Sequence, residues 1–270
     1  MLGSVSGRHQ SPHRGASVEF AQYRRYQPGD DLRRLDWRAF GRSDRHYVKE
    51  FEADTNLRLV LVVDASGSMS YRNKMDVARQ LAAMLAYLAI NQGDAAGLLC
   101  VGDSNCPEFL PPRRSATQVS VLFDHLEDVR CAGPTQLESA LHELSESIRE
   151  RALVVILSDL LFEPIALRHA LEHLTFRNHD IGVFHLTDPS ELQPDWSRPL
   201  RIEDMESDET VIVDPDEIRD GYQSAVCEFL SQVHTVCRET SVDYCHVMTD
   251  QGIESVLMQF LAGRSRDVRQ

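Results

Sequence analysis

The sequence is missing several kinds of chemistry, and each absence narrows its function. It has no G-x-x-x-x-G-K-[S/T] loop to cradle nucleotide phosphates, so ATP work falls to another protein. No apolar run approaches the ~20 residues that span a bilayer. The longest, Leu81–Ile90, has the spacing of a helix core, so no membrane span is expected. The six cysteines (Cys100, Cys106, Cys131, Cys227, Cys237 and Cys245) form no C-x-x-C pair, and no H-E-x-x-H occurs, which argues against zinc. Cys227 and Cys237 fall on one expected helix, about 15 Å apart and too far to bridge. Scattered cysteines without a signal peptide point to a reducing, cytoplasmic location. Positive charge is scarce as well. Against 42 Asp and Glu stand 28 Lys and Arg, a net charge of −14, which argues against nucleic acid or an anionic membrane as partner.

That scarcity is uneven. Residues 1–50 carry 10 Lys and Arg against 6 Asp and Glu, whereas the rest of the chain is strongly acidic. Residues 1–16 are polar and read as a flexible N-terminus. Residues 17–56 form an arginine-rich arm with turn chemistry at Gln27–Asp31 and a strand near Tyr47–Phe51. Trp37, Phe40 and Tyr47 are large enough to dock the arm on a core. Arg24, Arg25, Arg33, Arg34, Arg38, Arg42 and Arg45 either form internal salt bridges, as the Arg–Asp alternation suggests, or offer a surface to an acidic partner.

Residues 57–270 read as one domain. Buried-type strands at Leu57–Val63, Ala95–Val101, Ala152–Leu157 and Ile181–Leu186 alternate with helices near Lys74–Asn91, Thr117–Leu126, Leu137–Ile148 and Pro164–Phe176. A short edge strand at Cys106–Leu110 is expected to stop at Pro111-Pro112. A hairpin at Arg201–Glu203 and Val211–Val213, a helix from Asp214-Pro215 to Glu239, a strand at Val242–Met248 and a helix at Ile253–Leu261 follow. The alternation predicts an α/β fold, a doubly wound, mostly parallel sheet.

In such a sheet, ligands bind beyond the carboxyl ends of the strands. Asp64, in "LRLVLVVDASGSMS", and Asp159, in "LVVILSDLLFE", both stand at such ends. Ser66, Ser68 and, from the Gly133-Pro134-Thr135 loop, Thr135 add hydroxyls. Ser66 and Ser68, at alternate positions of an extended loop, project to one side. An all-oxygen set suits a hard cation, above all Mg²⁺. Against this stand simpler readings, Ser-x-Ser as a cap for the following helix and Asp159 as another cap.

The D-x-S-x-S, the separate Thr and the strand-end Asp resemble the metal-ion-dependent adhesion site of von Willebrand factor A domains. The preceding "EFAQYRRYQPGDDLRRLDWRAFGRSDRHYVKEFE" and the tail "VDYCHVMTDQGIESVLMQFL" are similar to a bacterial family labelled domain of unknown function 58. Its members carry a von Willebrand A-like domain and are typically encoded beside MoxR-type AAA+ ATPases. The resemblance implies that Ser66, Ser68 and Thr135 bind the cation directly, with Asp64 and Asp159 acting through water. It implies a non-enzymatic adaptor gripping an acidic residue of a MoxR-type AAA+ ATPase or its client. The alternative is a Mg²⁺-dependent hydrolase such as a phosphatase. No carboxylate two residues after Asp64 and no obvious general base in the motif loops weigh against it.

Overall fold

Alternation inside the apolar runs sets the layers of the molecule. In β3 (Arg58–Asp64), Leu59, Leu61 and Val63 point into one core, Val60 and Val62 into another. β6 (Leu153–Ser158) divides in the same way, with Val155 and Leu157 on the first side and Val154 and Ile156 on the second. Strands covered on both faces need helices on both faces. The first core is closed by α1 (Lys74–Asn91), α2 (Ala116–Asp128) and α7 (Ile253–Asp267) through Leu81, Leu85, Leu122, Leu126, Val256 and Phe260. The second is closed by α3 (Leu137–Ser147), α4 (Pro164–Phe176) and α6 (Pro215–Glu239) through Leu141, Leu171, Val233 and Val236.

The computed structural model describes residues 18–25, 47–53, 57–102, 109–194, 200–203, 205 and 210–267. The chain divides into two compact units, Met1–Asn56 with Asp267–Gln270, and Leu57–Arg266. Within the first, β1 (Val18–Arg25) pairs antiparallel with β2 (Tyr47–Ala53). Sequence reading marks only the second strand. The register slips between Phe20 and Gln22, and such an irregularity breaks the period-two pattern that would have revealed β1. Gln27–Asp31, Trp37, Phe40 and the arginines from Arg33 to Arg45 lie outside the described residues, as does Cys106.

The second unit holds a six-stranded sheet in the order β10-β7-β6-β3-β4-β5. Here β4 is Ala95–Val101, β5 Leu110–Arg113, β7 Asp180–Thr187 and β10 Asp243–Met248. All neighbours are parallel except β5, which runs antiparallel to β4 at the edge. The prolines expected to stop an edge strand are instead inside it. An edge tolerates Pro because outward N–H groups have no partner to lose. Gly97 of β4 makes room for them, since a Cβ there would sit 2.5 Å from the Leu110 carbonyl oxygen. A short hairpin, β8 (Leu200–Glu203) with β9 (Thr210–Val213), forms a separate sheet, and α5 (Pro189–Leu192) is one capped turn. Chain order advances from β3 toward β4 on one side and from β6 toward β7 and β10 on the other. The direction of winding therefore changes between β3 and β6, where a doubly wound sheet opens a crevice at its carboxyl end.

Candidate functional site

Both strand-end carboxylates stand at this switch point. Val63 of β3 lies opposite Leu157 of β6, which brings the ends of the two strands level. Asp64 is 1% exposed and Asp159 2%, so neither charge is solvated by bulk water. Asp64 is satisfied by neutral donors. Its Oδ1 accepts from the Ser66 backbone N–H at 3.0 Å. Its Oδ2 accepts from the Ser158 hydroxyl at 2.6 Å and more weakly from Thr135 Oγ1 at 3.4 Å. Burial pushes the Asp64 carboxyl up from 3.8 to about 6, and the Asp159 charge adds to this. The Ser158 and Ser66 hydrogen bonds pull the other way.

Ser66 and Ser68 come together, on a backbone other than the expected one. The segment Gly67–Ser70 is a 3-10 turn rather than an extended loop. Ser66, just before the turn, is extended, with φ −61° and ψ 163°. Tightening at Gly67 brings Ser66 Oγ within 3.1 Å of Ser68 Oγ. Ser66 precedes the turn as its cap residue, yet its side chain makes no capping hydrogen bond. The helix-cap reading thus finds no bond in the structure. Thr135, half-buried, reaches the same carboxylate from the loop before α3 and also accepts from the Leu137 N–H at 3.4 Å. Gly67 is needed where it is. Its N–H donates to the Gly133 carbonyl at 2.8 Å, tying the two loops together. A Cβ on it would fall 2.1 Å from the carbonyl oxygen of Met205, between β8 and β9.

Asp159 is held quite differently. Lys74 donates to its Oδ2 at 2.7 Å and to Glu191 Oε1 at 2.8 Å. The lysine side chain is 1% exposed, and its ammonium also lies 5.7 Å from the centre of the Tyr71 ring. Burial opposes the lysine's charge. Asp159 and then Glu191 outweigh it and hold its pKa above the ordinary 10.5. Asp159 caps no helix: α4 begins at Pro164, with Glu163 as its cap residue. The turn after Asp159 is tight, with Leu160 in the left-handed region at φ 53° and its N–H donating to Ser158 Oγ at 2.8 Å.

Sequence reading missed Ser158, Lys74 and Glu191, and two of them had visible signals. Lys74 is the first residue of a helix, where the helix dipole disfavours a cation unless a carboxylate answers it. Glu191 closes a D-x-x-E capping box with Asp188, its Oε2 accepting from the Asp188 N–H at 2.7 Å.

The donors fit a small hard cation on the hydroxyl side. Two cis ligands of an octahedron with ~2.1 Å bonds lie about 3.0 Å apart, close to the Ser66–Ser68 separation. Among the described residues no three His, Cys, Asp or Glu side chains gather as a metal cage, so a cation here would rest on hydroxyls.

Comparison with known proteins places this arrangement in a family. The model of "Protein of unknown function DUF58" matches residues 22–229. An uncharacterized protein of Mycobacterium tuberculosis, Rv1480, is 26% identical over 98% of this chain and 85% of its own length. The uncharacterized protein YeaD of Bacillus subtilis is 28% identical over 55% of this chain and 36% of its own. The fold is similar to that of the conserved hypothetical protein BatB from Bacteroides thetaiotaomicron, at TM-score 0.51 and 12% identity, covering 78% of this chain and 99% of that one. With the family model spanning most of the chain and both strand-end carboxylates in place, the protein belongs to the DUF58 family.

Proposed function

We propose that the chain is a metal-dependent protein-binding module of von Willebrand A type that grips an acidic residue of its partner. Ser66, Ser68 and Thr135 would hold Mg²⁺ directly, with Asp64 and Asp159 acting through water. The observation that carries this reading is the Ser66–Ser68 hydroxyl pair, tied through the Ser66 N–H to a buried carboxylate that also accepts from the Thr135 hydroxyl, at the switch point of the sheet. Hydroxyl ligands leave a cation's charge largely intact, and an incoming carboxylate completes its shell. Hydrolysis is less well served. Both oxygens of Asp64 are engaged and the residue is buried, which leaves Asp64 no free oxygen to attack a substrate.

The partner we propose, from the family resemblance, is a MoxR-type AAA+ ATPase or a client it remodels. Thr135→Ala removes one hydroxyl without adding bulk. Calorimetry with a MoxR-type AAA+ ATPase, in Mg²⁺ buffer throughout, is expected to show at least tenfold weaker binding for this variant. Equal affinity would exclude the hydroxyl cluster as the gripping site.

A further inference from the structure

We infer that Lys74 is a built-in cation that sets the affinity of this site: it neutralises Asp159 from inside the protein and so leaves the site to bind a divalent ion weakly. The inference rests on the metal reading above. It is carried by the buried triad of Asp159, Lys74 and Glu191, with the ammonium 2.7 and 2.8 Å from its two carboxylates and 1% exposed.

Charge arithmetic gives the consequence. Asp64, Asp159 and Glu191 supply three negative charges and Lys74 one positive, a sum of −2. A divalent ion brings the cluster to neutrality. Without the lysine the same ion would sit in a cluster of −1, held more tightly but less able to attract a further anion. A buried ammonium therefore gives up metal affinity and gains attraction for an outside carboxylate, because buried charges are poorly screened. The geometry reinforces this. Asp159 Oδ2 is committed to the lysine, so an arriving ion finds its coordination on the Ser66, Ser68 and Thr135 side. Glu191 is tied to its own turn through the Asp188 N–H, and the Tyr222 hydroxyl donates to its backbone carbonyl at 2.7 Å. The lysine is thus held by fixed partners and does not swing away when an ion arrives.

Three variants test the inference. Lys74→Gln removes the charge while keeping an amide donor for Asp159, and Lys74→Met removes both. Glu191→Gln, on a residue whose side chain is 25% exposed, removes a negative charge and leaves the lysine committed to Asp159. Mn²⁺ binding is read by electron paramagnetic resonance and Mg²⁺ binding by calorimetry on the full chain. Lys74→Gln is expected to bind both ions at least tenfold tighter than the parent, and Glu191→Gln more weakly. Thermal unfolding supplies the second readout. Lys74→Met should lose stability in EDTA and recover most of it in Mg²⁺, a larger gain than the measurable rise of the parent. If the parent binds Mn²⁺ and Lys74→Gln binds it no tighter, the inference fails while the metal reading stands. If neither binds, both fail.

Discussion

Asp64 and Asp159 are the same residue type, equally buried, at the ends of adjacent parallel strands, yet the protein satisfies them in opposite ways. Asp64 receives two hydroxyls and a backbone N–H; Asp159 receives a full positive charge. Neutral donors only partly repay desolvation, so Asp64 stays poised near pH 6. A buried ion pair repays it through Coulomb attraction, but then neither partner can be removed alone. One carboxylate is thereby left responsive to its surroundings, while the other is fixed as part of the frame.

The comparison breaks most visibly at Lys74. Lys74→Met strands Asp159 without its cation, and removing one member of a buried pair costs about 3–5 kcal/mol. Urea unfolding in EDTA measures it, and a loss near that of a surface substitution would show that water reaches Asp159.

Asp64 sharpens the comparison through pH. Its folded pKa is raised above 3.8, so the stability it contributes is fully present below pH 3.8 and is lost as pH rises through about 6. The full swing is about 3 kcal/mol at ~1.4 kcal/mol per pKa unit. Asp64→Asn is expected to flatten this fall between pH 4 and 6.5 relative to the parent, in metal-free buffer. An unchanged slope would mean that Asp64 titrates normally.

The smallest effect on the empty fold is expected from Ser66→Ala with Ser68→Ala. The two hydroxyls bond to each other, and replacing both partners together leaves no orphan, so the apo form should change by about 1 kcal/mol or less. The rise in melting temperature with Mg²⁺ should disappear. A double variant that still responds to Mg²⁺ like the parent would place the ion elsewhere.

How legible was this in the sequence? The layers were plain, because Leu59–Val63 and Ala152–Leu157 are apolar at consecutive positions, as strands covered on both faces are. Asp64 and Asp159 stood out in the sequence because each follows an apolar run, and Ser66, Ser68 and Thr135 because their hydroxyls sit in loops expected at the carboxyl rim. The 3-10 turn at Gly67 was not legible, since its cause is a contact with Gly133 and Met205 far along the chain. The pairing of Lys74 with Asp159 spans 85 residues, and no local pattern encodes that distance. The prolines of β5 misled for a related reason. Pro ends a central strand but not an edge strand, and which strand is at the edge is a property of the whole sheet.

Those prolines also bear on how the molecule avoids its own kind. An exposed strand is a template on which another chain can add by backbone pairing, the first step toward aggregation. Pro111 and Pro112 remove the N–H from two consecutive residues of a four-residue strand, so one donor is missing from each side whatever the register. A strand arriving on the β5 side of the sheet meets a short ladder with one rung missing. The sheet therefore resists extension at that edge, which guards against backbone pairing with a second copy of the chain.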